Sequence, residues 1–333
     1  MATALVSGAT GLVGSHIVER LLQDRWTVRA LVRSPSAWLD SLGVESRIGD
    51  VLDDDAFTRA ATGCDVIFHT AAAVTPRGGW EAFRRPNVDG TQSAITAAER
   101  SHARLLHLSS VAVYGHDGRY RGGSLKTDED TPLGPLPERA YYARSKRESE
   151  SIVLAAHAAG RIWATAVRPD VIYGNRDRQF VPRIARFLKR GFAPNINGGR
   201  TTLAVVHAAN VADGAVRAAT NERAGGRAYN LANDFDVTAR DFFTLGARGL
   251  GRGVHLIPIP KSAADMAFRT IMSVLKMVTA GQLSAVSNSS LDFLTRDNPF
   301  TSERARNELG WSPPVRPEQG VPDAFRYWLN AQR

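Results

Sequence analysis

Short apolar runs alternate with segments of helical periodicity through the first half of the chain. The first run covers 3–6, and Val13, Ile17 and Leu21 follow it at helical spacing. Further runs predict strands at 27–32, 44–48, 66–70, 105–108 and 162–167, and the segments between them predict helices at 53–61, 94–99 and 141–155. This alternation is typical of βαβ units, so we predict an α/β fold with a doubly wound parallel sheet. Right-handed crossovers then place the carboxyl ends of the strands, and the ligand crevice, at one edge.

The alternation loosens after Arg168 and Pro169, which are predicted to end the last of these strands. Two later runs, 205–207 and 228–231, still resemble strands of the sheet. We therefore predict two structural regions. The larger domain covers 1–172 and 204–235, and a smaller C-terminal substrate-binding lobe covers 173–203 and 236–333.

Composition narrows the class of protein. A chain of 333 residues with 43% apolar content has enough apolar surface for a large core. Its single cysteine, Cys64, excludes internal disulfides and a cysteine metal cluster, which suits a reducing cytoplasm. No signal peptide precedes the first strand and no apolar run is long enough to span a bilayer, so we predict a cytoplasmic protein. No Asp, Glu and His cluster has metal-ligand spacing, and we predict no metal.

The formal net charge of +9 raises the question of a nucleic-acid partner. The arginines are scattered, however, and no run of five basic residues occurs. This distribution argues against nucleic acid. It favours a basic surface that serves anionic cofactors or lies near anionic lipid.

A glycine-rich turn joins the first predicted strand to the first predicted helix, with Gly8, Gly11 and Gly14 three residues apart. Glycine lets the backbone turn sharply and lets a pyrophosphate approach without a Cβ in the way. The helix N-terminus offers free N–H groups and a partial positive charge to the phosphates. The spacing differs from the G-x-G-x-x-G of ordinary dehydrogenases, but the strand before it and the helix after it predict a dinucleotide site.

Tyr142 has a lysine four residues on, Lys146, so both lie on one face of the predicted helix. A phenol is a poor acid–base at neutral pH, and a nearby ammonium favours the phenolate and lowers the phenol's pKa. An ordinary surface pair has the same spacing, but this pair follows Ser109 and Ser110 at the end of a predicted strand. A serine hydroxyl there donates to a carbonyl oxygen or steadies an alkoxide. Together these features form a constellation not expected by chance.

Further stretches extend the pattern along the chain. They are Gly49-Asp50, His69-Thr70-Ala71-Ala72, Asn87-Val88-Asp89-Gly90-Thr91, Ser109 to Gly115, Arg168 to Gly174, Val206-His207, Tyr229-Asn230-Leu231 and Glu308-Leu309-Gly310-Trp311. With them the chain resembles the extended short-chain dehydrogenase/reductase family, within the NAD-dependent epimerase/dehydratase superfamily, over essentially its whole length. The resemblance implies a Rossmann-type sheet with a smaller C-terminal lobe.

The resemblance also implies roles for individual residues. It matches Ser110 to the catalytic serine, Tyr142 to the acid–base, and Lys146 to the lysine that lowers the pKa of the tyrosine and binds the nicotinamide ribose. The residues expected to bind the cofactor are Gly8, Thr10, Gly11, Leu12, Val13, Gly14, Arg33, Asp50, Val51, Thr70, Ala71, Ala72, Asn87, Ser109, Tyr142, Lys146, Pro169, Val171 and Ile172. Those expected to face the substrate are Val74, Ser110, Val111 and Tyr173.

The end of the second strand bears on the choice of cofactor. NAD enzymes place a carboxylate there to accept from the ribose hydroxyls. Here Val32 occupies that position and Arg33 follows it. An arginine grips a 2′-phosphate bidentately, where a carboxylate would repel it. A solvated strand-end arginine is the alternative, so we predict NADP(H) as the favoured cofactor and NAD(H) as the second choice.

The family divides into sugar-nucleotide epimerases or dehydratases and reductases or dehydrogenases of ketones, flavonoids and 3β-hydroxysteroids. The first group usually carries an Arg four residues before the His of its His-Val strand, where this chain has Leu203, and an Asn where it has Val171. Arg176 and Arg200 lie near enough to substitute, so the epimerase alternative stays open. The segment 27–33 looks like that of dihydroflavonol reductases. We predict hydride transfer between nicotinamide and the carbonyl or secondary alcohol of a bulky, apolar substrate.

A Met-rich segment, 263–278, is apolar almost all round, yet too short and too charged to cross a bilayer. One interpretation is a helix packed into the lobe. The other is a lid over an apolar substrate, or a helix in peripheral contact with a membrane. The resemblance implies a homodimer through a four-helix bundle. A non-catalytic nucleotide-sensing protein is a second alternative, against which the intact serine, tyrosine and lysine argue.

Overall fold

Seven parallel strands form the central sheet of the computed structural model, which describes residues 1–76, 78–115, 126–232, 234–260 and 293–332. In chain order the strands of the described residues are β1 (Thr3–Ser7), β2 (Thr27–Val32), β3 (Glu45–Ile48), β4 (Val66–His69), β5 (Arg104–Leu108), β6 (Ala164–Pro169), β7 (Val171–Tyr173), β8 (Phe192–Ile196), β9 (Val205–His207), β10 (Ala228–Leu231) and β11 (His255–Ile259). The order across the central sheet is β3-β2-β1-β4-β5-β6-β10. The predicted Rossmann-type α/β fold is confirmed.

Among the described residues the helices are, in chain order, α1 (Leu12–Gln23), α2 (Ala37–Ser41), α3 (Asp54–Ala61), α4 (Trp80–Arg84), α5 (Gly90–Ser101), α6 (Tyr141–Ala158), α7 (Phe180–Leu188), α8 (Ala208–Thr220), α9 (Ala239–Gly249), α10 (Glu303–Leu309) and α11 (Pro317–Asn330). Helix α1 packs against α8, while α3 and α6 both pack against α5. Leu5 of β1 and Ile67 of β4 form one buried cluster with Phe57 of α3, Ile95 of α5 and Val153 of α6. This burial of apolar area anchors the strands whose carboxyl ends carry the candidate site.

The described residues group into two compact units. Unit 1 comprises Met1–Asp170, Ala208–Ala232 and Thr301–Pro314, and unit 2 comprises Val171–His207, Asn233–Phe300 and Val315–Arg333. In unit 2, β7 pairs with β9 and β8 pairs with β11, all parallel. Its core includes Tyr173, Phe242 and Phe325, whose rings meet edge to face. The segment 263–278 lies outside the described residues.

Two segments belong to a different unit from the one predicted from the sequence. Strand β9, expected in the larger domain, pairs with the short β7 and buries Val205 in the core of unit 2. The segment 301–314, expected in the second lobe, belongs to unit 1. The reason is its side chains: the Tyr229 hydroxyl donates to Glu308 at 2.8 Å, and the Trp311 indole donates to the Asn210 carbonyl at 3.1 Å. Neither contact has a periodic signature in the sequence.

The prediction that Arg168 and Pro169 end the sixth strand is wrong by two residues. Strand β6 includes both, and Pro169 lies in register with Leu231 of β10. Proline is tolerated there because the last residue of a strand has little need of its N–H. The charge of Arg168 is accommodated inside the fold by an acidic partner, described below. Among the described residues, no helix is long and apolar enough to cross a membrane.

Candidate active site

The glycine turn lies where the strand order of the sheet reverses, between β1 and β4, which is where ligands bind in open α/β sheets. The Gly11 amide donates to the Gly8 carbonyl at 2.9 Å, and Gly8 has a φ of +73°. A Cβ on Gly8 would lie 2.7 Å from the Ala71 amide nitrogen, and one on Gly14 would lie 2.2 Å from the Gly8 carbonyl oxygen. Both positions therefore require glycine, and the turn packs directly against the residues after β4.

Helix α1 begins after Gly11 without a side-chain cap and with no acidic residue in its first turn. The first N–H groups of a helix have no partner within it, and they carry the positive end of the helix dipole. Thr10 and Gly11 are exposed, so an anion can approach these groups. The glycine cradle and the uncapped 12-residue helix fit the pyrophosphate of a dinucleotide.

Asn87 fastens the loop after β4 to helix α6. Its side-chain amide accepts from the Ala73 amide at 2.7 Å and donates to the Ala73 carbonyl and to the Ser145 hydroxyl, both at 2.9 Å. The residue is 1% exposed. Every polar atom of this side chain thus has a partner within the protein. Asn87 thus holds Ala73 in place after β4, and its expected contact with the cofactor stays a prediction.

Three of the residues expected to bind the cofactor, Arg33, Asp50 and Val51, follow β2 and β3. Arg33 is exposed, and the residue before it, Val32, is buried. Asp50 is also exposed and accepts from the Leu52 amide at 2.9 Å, which shapes the turn after β3. Val51 packs against Gly90 at the start of α5. All these residues follow parallel strands of unit 1, so they lie at the same edge of the sheet as the glycine turn.

The side chains of Ser110 and Tyr142 interact, and this interaction acts to lower the pKa of the Tyr142 phenol. Ser110 follows β5 in extended conformation, and its hydroxyl accepts from the Ala112 amide at 3.2 Å, which starts a 3-10 turn at Val111–Tyr114. Tyr142 lies in the first turn of α6, and Lys146 lies one turn later. The Lys146 ammonium is buried and donates to the Leu108 carbonyl at 2.7 Å. The structure thus brings the three residues together at the end of β5.

Burial dominates the electrostatics of this group. Burial raises the pKa of the Tyr142 phenol, and the interaction with the Ser110 side chain opposes that rise. Burial also lowers the pKa of Lys146 to about 8, although the Glu150 carboxylate raises it. Tyr142 is therefore protonated at neutral pH and Lys146 is mostly charged. The lowering of the Tyr142 pKa by Lys146 stays a prediction.

A buried ion pair that was not predicted from the sequence lies one helical turn after Lys146. Arg168 at the end of β6 donates to Glu150 at 2.9 Å, and both residues are less than a tenth exposed. Arg168 also donates to the Tyr114 hydroxyl at 2.7 Å, which donates to Asn230 at 2.9 Å. Glu150 follows Lys146 by four residues and therefore shares its helix face. That spacing could have placed Glu150 beside Lys146, but it gave no sign of Arg168.

Two buried histidines lie side by side on β4 and β5. His69 and His107 are paired in register, and their rings are 5.9 Å apart. His69 is hydrogen-bonded to Ser7 at 2.8 Å, and His107 to Ser149 at 3.1 Å. Burial, with a smaller effect of the Lys146 charge, lowers the pKa of His69 to about 3 and that of His107 well below its usual value. Both rings are therefore neutral around pH 7.

The residues expected to face substrate differ widely in solvent exposure. Val74 is 43% exposed, whereas Val111 is buried at the start of the 3-10 turn. Tyr173 is 1% exposed and its ring contacts His207 and Phe242 in the core of unit 2. We correct its expected role to packing, because a side chain enclosed in this way has no surface for a ligand.

The residues after β6 divide between the two units. Pro169 closes β6 in unit 1, while Val171 and Ile172 are half-buried residues of β7 in unit 2. Their expected contact with nicotinamide stays a prediction. Among the residues that the structure describes, no group of three or more His, Cys, Asp or Glu side chains is arranged to hold a metal ion.

Comparison with known proteins points to one family. A family model described as the NAD dependent epimerase/dehydratase family matches residues 4–232. A 4-hydroxy-2-methyl-3-oxo-4-farnesyl-3,4-dihydroquinoline-1-oxide ketoreductase from Stigmatella aurantiaca is 32% identical over 325 residues, which cover 96% of this chain and 95% of that protein. A decarboxylating sterol-4-alpha-carboxylate 3-dehydrogenase from Dictyostelium discoideum is 24% identical over 96% of this chain and 99% of its own. The crystal structure of gox2253 superimposes with a TM-score of 0.79 at 25% identity, covering 100% of this chain and 99% of the other.

Proposed function

Because the chain belongs to the NAD-dependent epimerase/dehydratase family, as an enzyme of the extended short-chain dehydrogenase/reductase type, we propose that it transfers hydride between NADP(H) and the carbonyl or secondary alcohol carbon of a bulky apolar substrate. The observation that carries this proposal is that Ser110, Tyr142 and Lys146 meet at the end of β5, where the Lys146 ammonium donates to the Leu108 carbonyl. This end of β5 lies at the same sheet edge as the glycine cradle. The proposed proton donor Tyr142, the Ser110 hydroxyl and the glycine turn thus lie at the same edge of the central sheet.

In the direction of reduction, the bound nicotinamide supplies the hydride that reaches the carbonyl carbon. Tyr142, whose phenol is protonated at neutral pH, donates its proton to the carbonyl oxygen. The Ser110 hydroxyl donates a hydrogen bond to the same oxygen and steadies the negative charge that develops there. In the direction of oxidation the same two groups act in reverse, and Tyr142 accepts the proton of the alcohol.

Lys146 is proposed to hold a positive charge beside this chemistry and to bind the nicotinamide ribose. Its hydrogen bond to the Leu108 carbonyl fixes the ammonium at the end of β5. With a pKa of about 8, this charge is present at neutral pH and is lost in mildly alkaline solution. We therefore expect kcat/KM for reduction to fall above about pH 8.

The apolar substrate class rests on the relatives and on one buried residue. The two relatives are named for reactions on a farnesylated quinoline oxide and on a sterol carboxylate, both bulky and largely apolar. Leu203 stands where the sugar-nucleotide branch usually has an arginine for the diphosphate, and it is 1% exposed in the core of unit 2. An uncharged, enclosed side chain offers no diphosphate contact. This observation favours a ketone or alcohol over a sugar nucleotide.

The proposal of NADP(H) rests on Arg33. Its exposed guanidinium follows β2, and the buried Val32 stands where a carboxylate would select against a 2′-phosphate. We expect Arg33→Asp to reverse the preference from NADPH towards NADH by at least about tenfold in kcat/KM. The measurement is the NADPH/NADH ratio of kcat/KM in the two proteins. An unchanged ratio would remove Arg33 from the cofactor site and leave the reductase assignment intact.

The deciding experiment measures NADPH and NADH consumption by the purified protein with hydrophobic ketones, sterol ketones and UDP- or dTDP-sugars. We expect consumption with apolar ketones. The Tyr142→Phe variant removes only a hydroxyl, and we expect it to lose at least about a thousandfold in kcat while binding NADPH as before. Tyr141→Phe is the matched control, since Tyr141 packs against Trp80 and Phe83 instead.

Two outcomes would contradict the proposal. Full turnover by the Tyr142→Phe variant would remove the tyrosine from the chemistry. Conversion of a sugar nucleotide without net consumption of cofactor, by a protein that retains NAD after purification, would establish the epimerase alternative. The homodimer and membrane contact through 263–278 remain proposals, and light scattering of the purified protein tests the first of these.

A further inference from the structure

The excess positive charge of the chain is concentrated in unit 2. Unit 2 holds 17 Lys and Arg against 9 Asp and Glu, while unit 1 holds 25 against 24. Eight of the nine net charges therefore belong to unit 2. The cofactor-binding turns lie in unit 1, so the anionic cofactor does not account for this excess.

The charge is uneven within unit 2 as well. The stretch 178–207 contains no Asp or Glu but six basic residues, and 242–260 contains no Asp or Glu and two arginines. These stretches form helix α7, the paired strands β8 and β11, and the end of α9. Among the described ion pairs, none includes Arg183, Lys189 or Arg190. The charge of this region is thus not neutralised within the described part of the chain.

The structure gathers part of this charge at the turn between α7 and β8. Arg252 donates to the Lys189 carbonyl, and the His255 amide donates to the Gly191 carbonyl at 2.7 Å. These two bonds fasten the start of β11 to the turn. Arg183 and Phe187 of α7 are exposed, and so is Arg190, which lies in the turn directly after this helix. Val181, Ala185 and Leu188 of the same helix are buried in the core of unit 2.

Large apolar side chains project from the same region. Phe187, Phe192 and Ile257 are 46%, 48% and 43% exposed. Phe192 lies opposite His255 across the β8–β11 ladder, and the two rings are in contact at 6.3 Å. Ile257 follows His255 by two residues and therefore lies on the same face of the ladder. We call this surface the basic corner, defined by Phe187, Lys189, Arg190, Phe192, Arg252 and Ile257.

We propose that the basic corner binds the surface of a lipid bilayer that contains anionic phospholipid. Lys189, Arg190 and Arg252 match the negative potential of such a surface. Phe187, Phe192 and Ile257 are of the type that enters the boundary between headgroups and acyl chains, where their apolar area leaves water. A nucleic acid would match the charge, but it would leave the exposed side chains of Phe187 and Ile257 in water. The combination of both features favours the bilayer.

The test is sedimentation of the full-length protein with vesicles of phosphatidylcholine alone and of phosphatidylcholine mixed with phosphatidylglycerol. We expect binding to the mixed vesicles, weaker binding at high salt, and little binding to phosphatidylcholine alone. Each basic residue near an anionic surface contributes about fivefold in affinity, so Lys189→Glu with Arg190→Glu should weaken binding at least about 25-fold. Phe187→Ser with Phe192→Ser should also weaken it, at either salt concentration.

Matched controls come from unit 1. Arg59→Glu reverses an exposed charge on α3, and Leu133→Ser removes an apolar side chain that is 42% exposed. We expect both to bind vesicles as the unaltered protein does. Thermal unfolding of each variant shows that it is folded before binding is measured. The basic-corner variants and the unaltered protein are also compared for retention on immobilised DNA. If the basic-corner variants sediment with vesicles like the controls, the proposal is overturned, and a loss of DNA retention alone would favour a nucleic acid instead.

Discussion

The charge of Lys146 depends on residues that touch neither substrate nor cofactor in the proposed reaction. Burial favours the neutral amine, and Glu150 opposes this effect from one turn away. Glu150 in turn forms a close, nearly enclosed ion pair with Arg168. The proposed catalytic lysine is thus supported by a second pair of charges.

Replacement of Glu150 by glutamine tests this arrangement. The change leaves Arg168 buried without its acidic partner, and we expect a loss of about 3–5 kcal/mol in the free energy of unfolding, measured by urea denaturation. Without the carboxylate the pKa of Lys146 falls below about 8, so the alkaline limb of the pH profile of kcat/KM should move to lower pH. Glu148→Gln is the control, because Glu148 pairs with Arg144 at 2.8 Å on the outer side of the same helix.

The double variant Glu150→Gln with Arg168→Gln separates the two effects. It removes both members of the ion pair, so Arg168 is no longer left buried without its acidic partner, and we expect much of the stability to return while the alkaline limb stays displaced. If the alkaline limb of kcat/KM in the double variant returned to its original pH together with the stability, Glu150 would act only through the fold.

At the level of elements, the turn between β1 and α1 requires glycine, because there is no room for a side chain. Gly14 lies inside a helix, where alanine normally stabilises by about 1 kcal/mol. Here a Cβ would lie 2.2 Å from the Gly8 carbonyl oxygen and 2.8 Å from the Thr70 hydroxyl. The helix can begin at this point only because position 14 has no side chain.

Gly14→Ala is therefore expected to destabilise by about 1–3 kcal/mol, as overpacking does, and to weaken NADPH binding because the turn must open. Urea denaturation and quenching of protein fluorescence by NADPH measure the two effects. Gly253→Ala serves for comparison, since a Cβ there meets no atom within 4 Å and should change stability by less than about 0.5 kcal/mol. Equal behaviour of the two variants would show that the turn tolerates a side chain.

For the whole molecule, the buried histidines set the response to acid. The pKa of His69 is about 3 in the folded protein against about 6.5 in an unfolded chain. The unfolded state therefore binds more protons between these values, and stability is lost as the pH falls through this window. His107 acts in the same direction. At pH 5 the loss from His69 alone is about 2 kcal/mol.

We expect the midpoint of thermal unfolding to fall steadily from about pH 6.5 downwards. His69→Asn keeps a polar group for Ser7 and should flatten this dependence. His255→Gln, at an exposed histidine, should leave it unchanged. A midpoint that is independent of pH between 4 and 7 would show that the two rings take up protons without loss of the fold.

Much of the architecture could be read from the chain because it rests on local patterns. Apolar runs and helical spacing predicted the first six strands of the central sheet, and the glycine turn was recognised by its place between a strand and a helix. The Tyr142–Lys146 pair was found for the same reason, since residues four apart share a helix face. These features are set within one or two turns of chain, where periodicity is informative.

The sequence by itself thus determined the type of fold, the order of its elements and the family. Tertiary structure decided which distant side chains meet: Arg168 with Glu150, Glu308 with Tyr229, and Asn87 with Ser145. It also enclosed Tyr173 in the core of unit 2. Such contacts join residues from 18 to 79 positions apart, and no local period records them. Burial lowers the pKa of Lys146 and keeps the His69 ring neutral. It likewise exists only once the chain has folded around these residues.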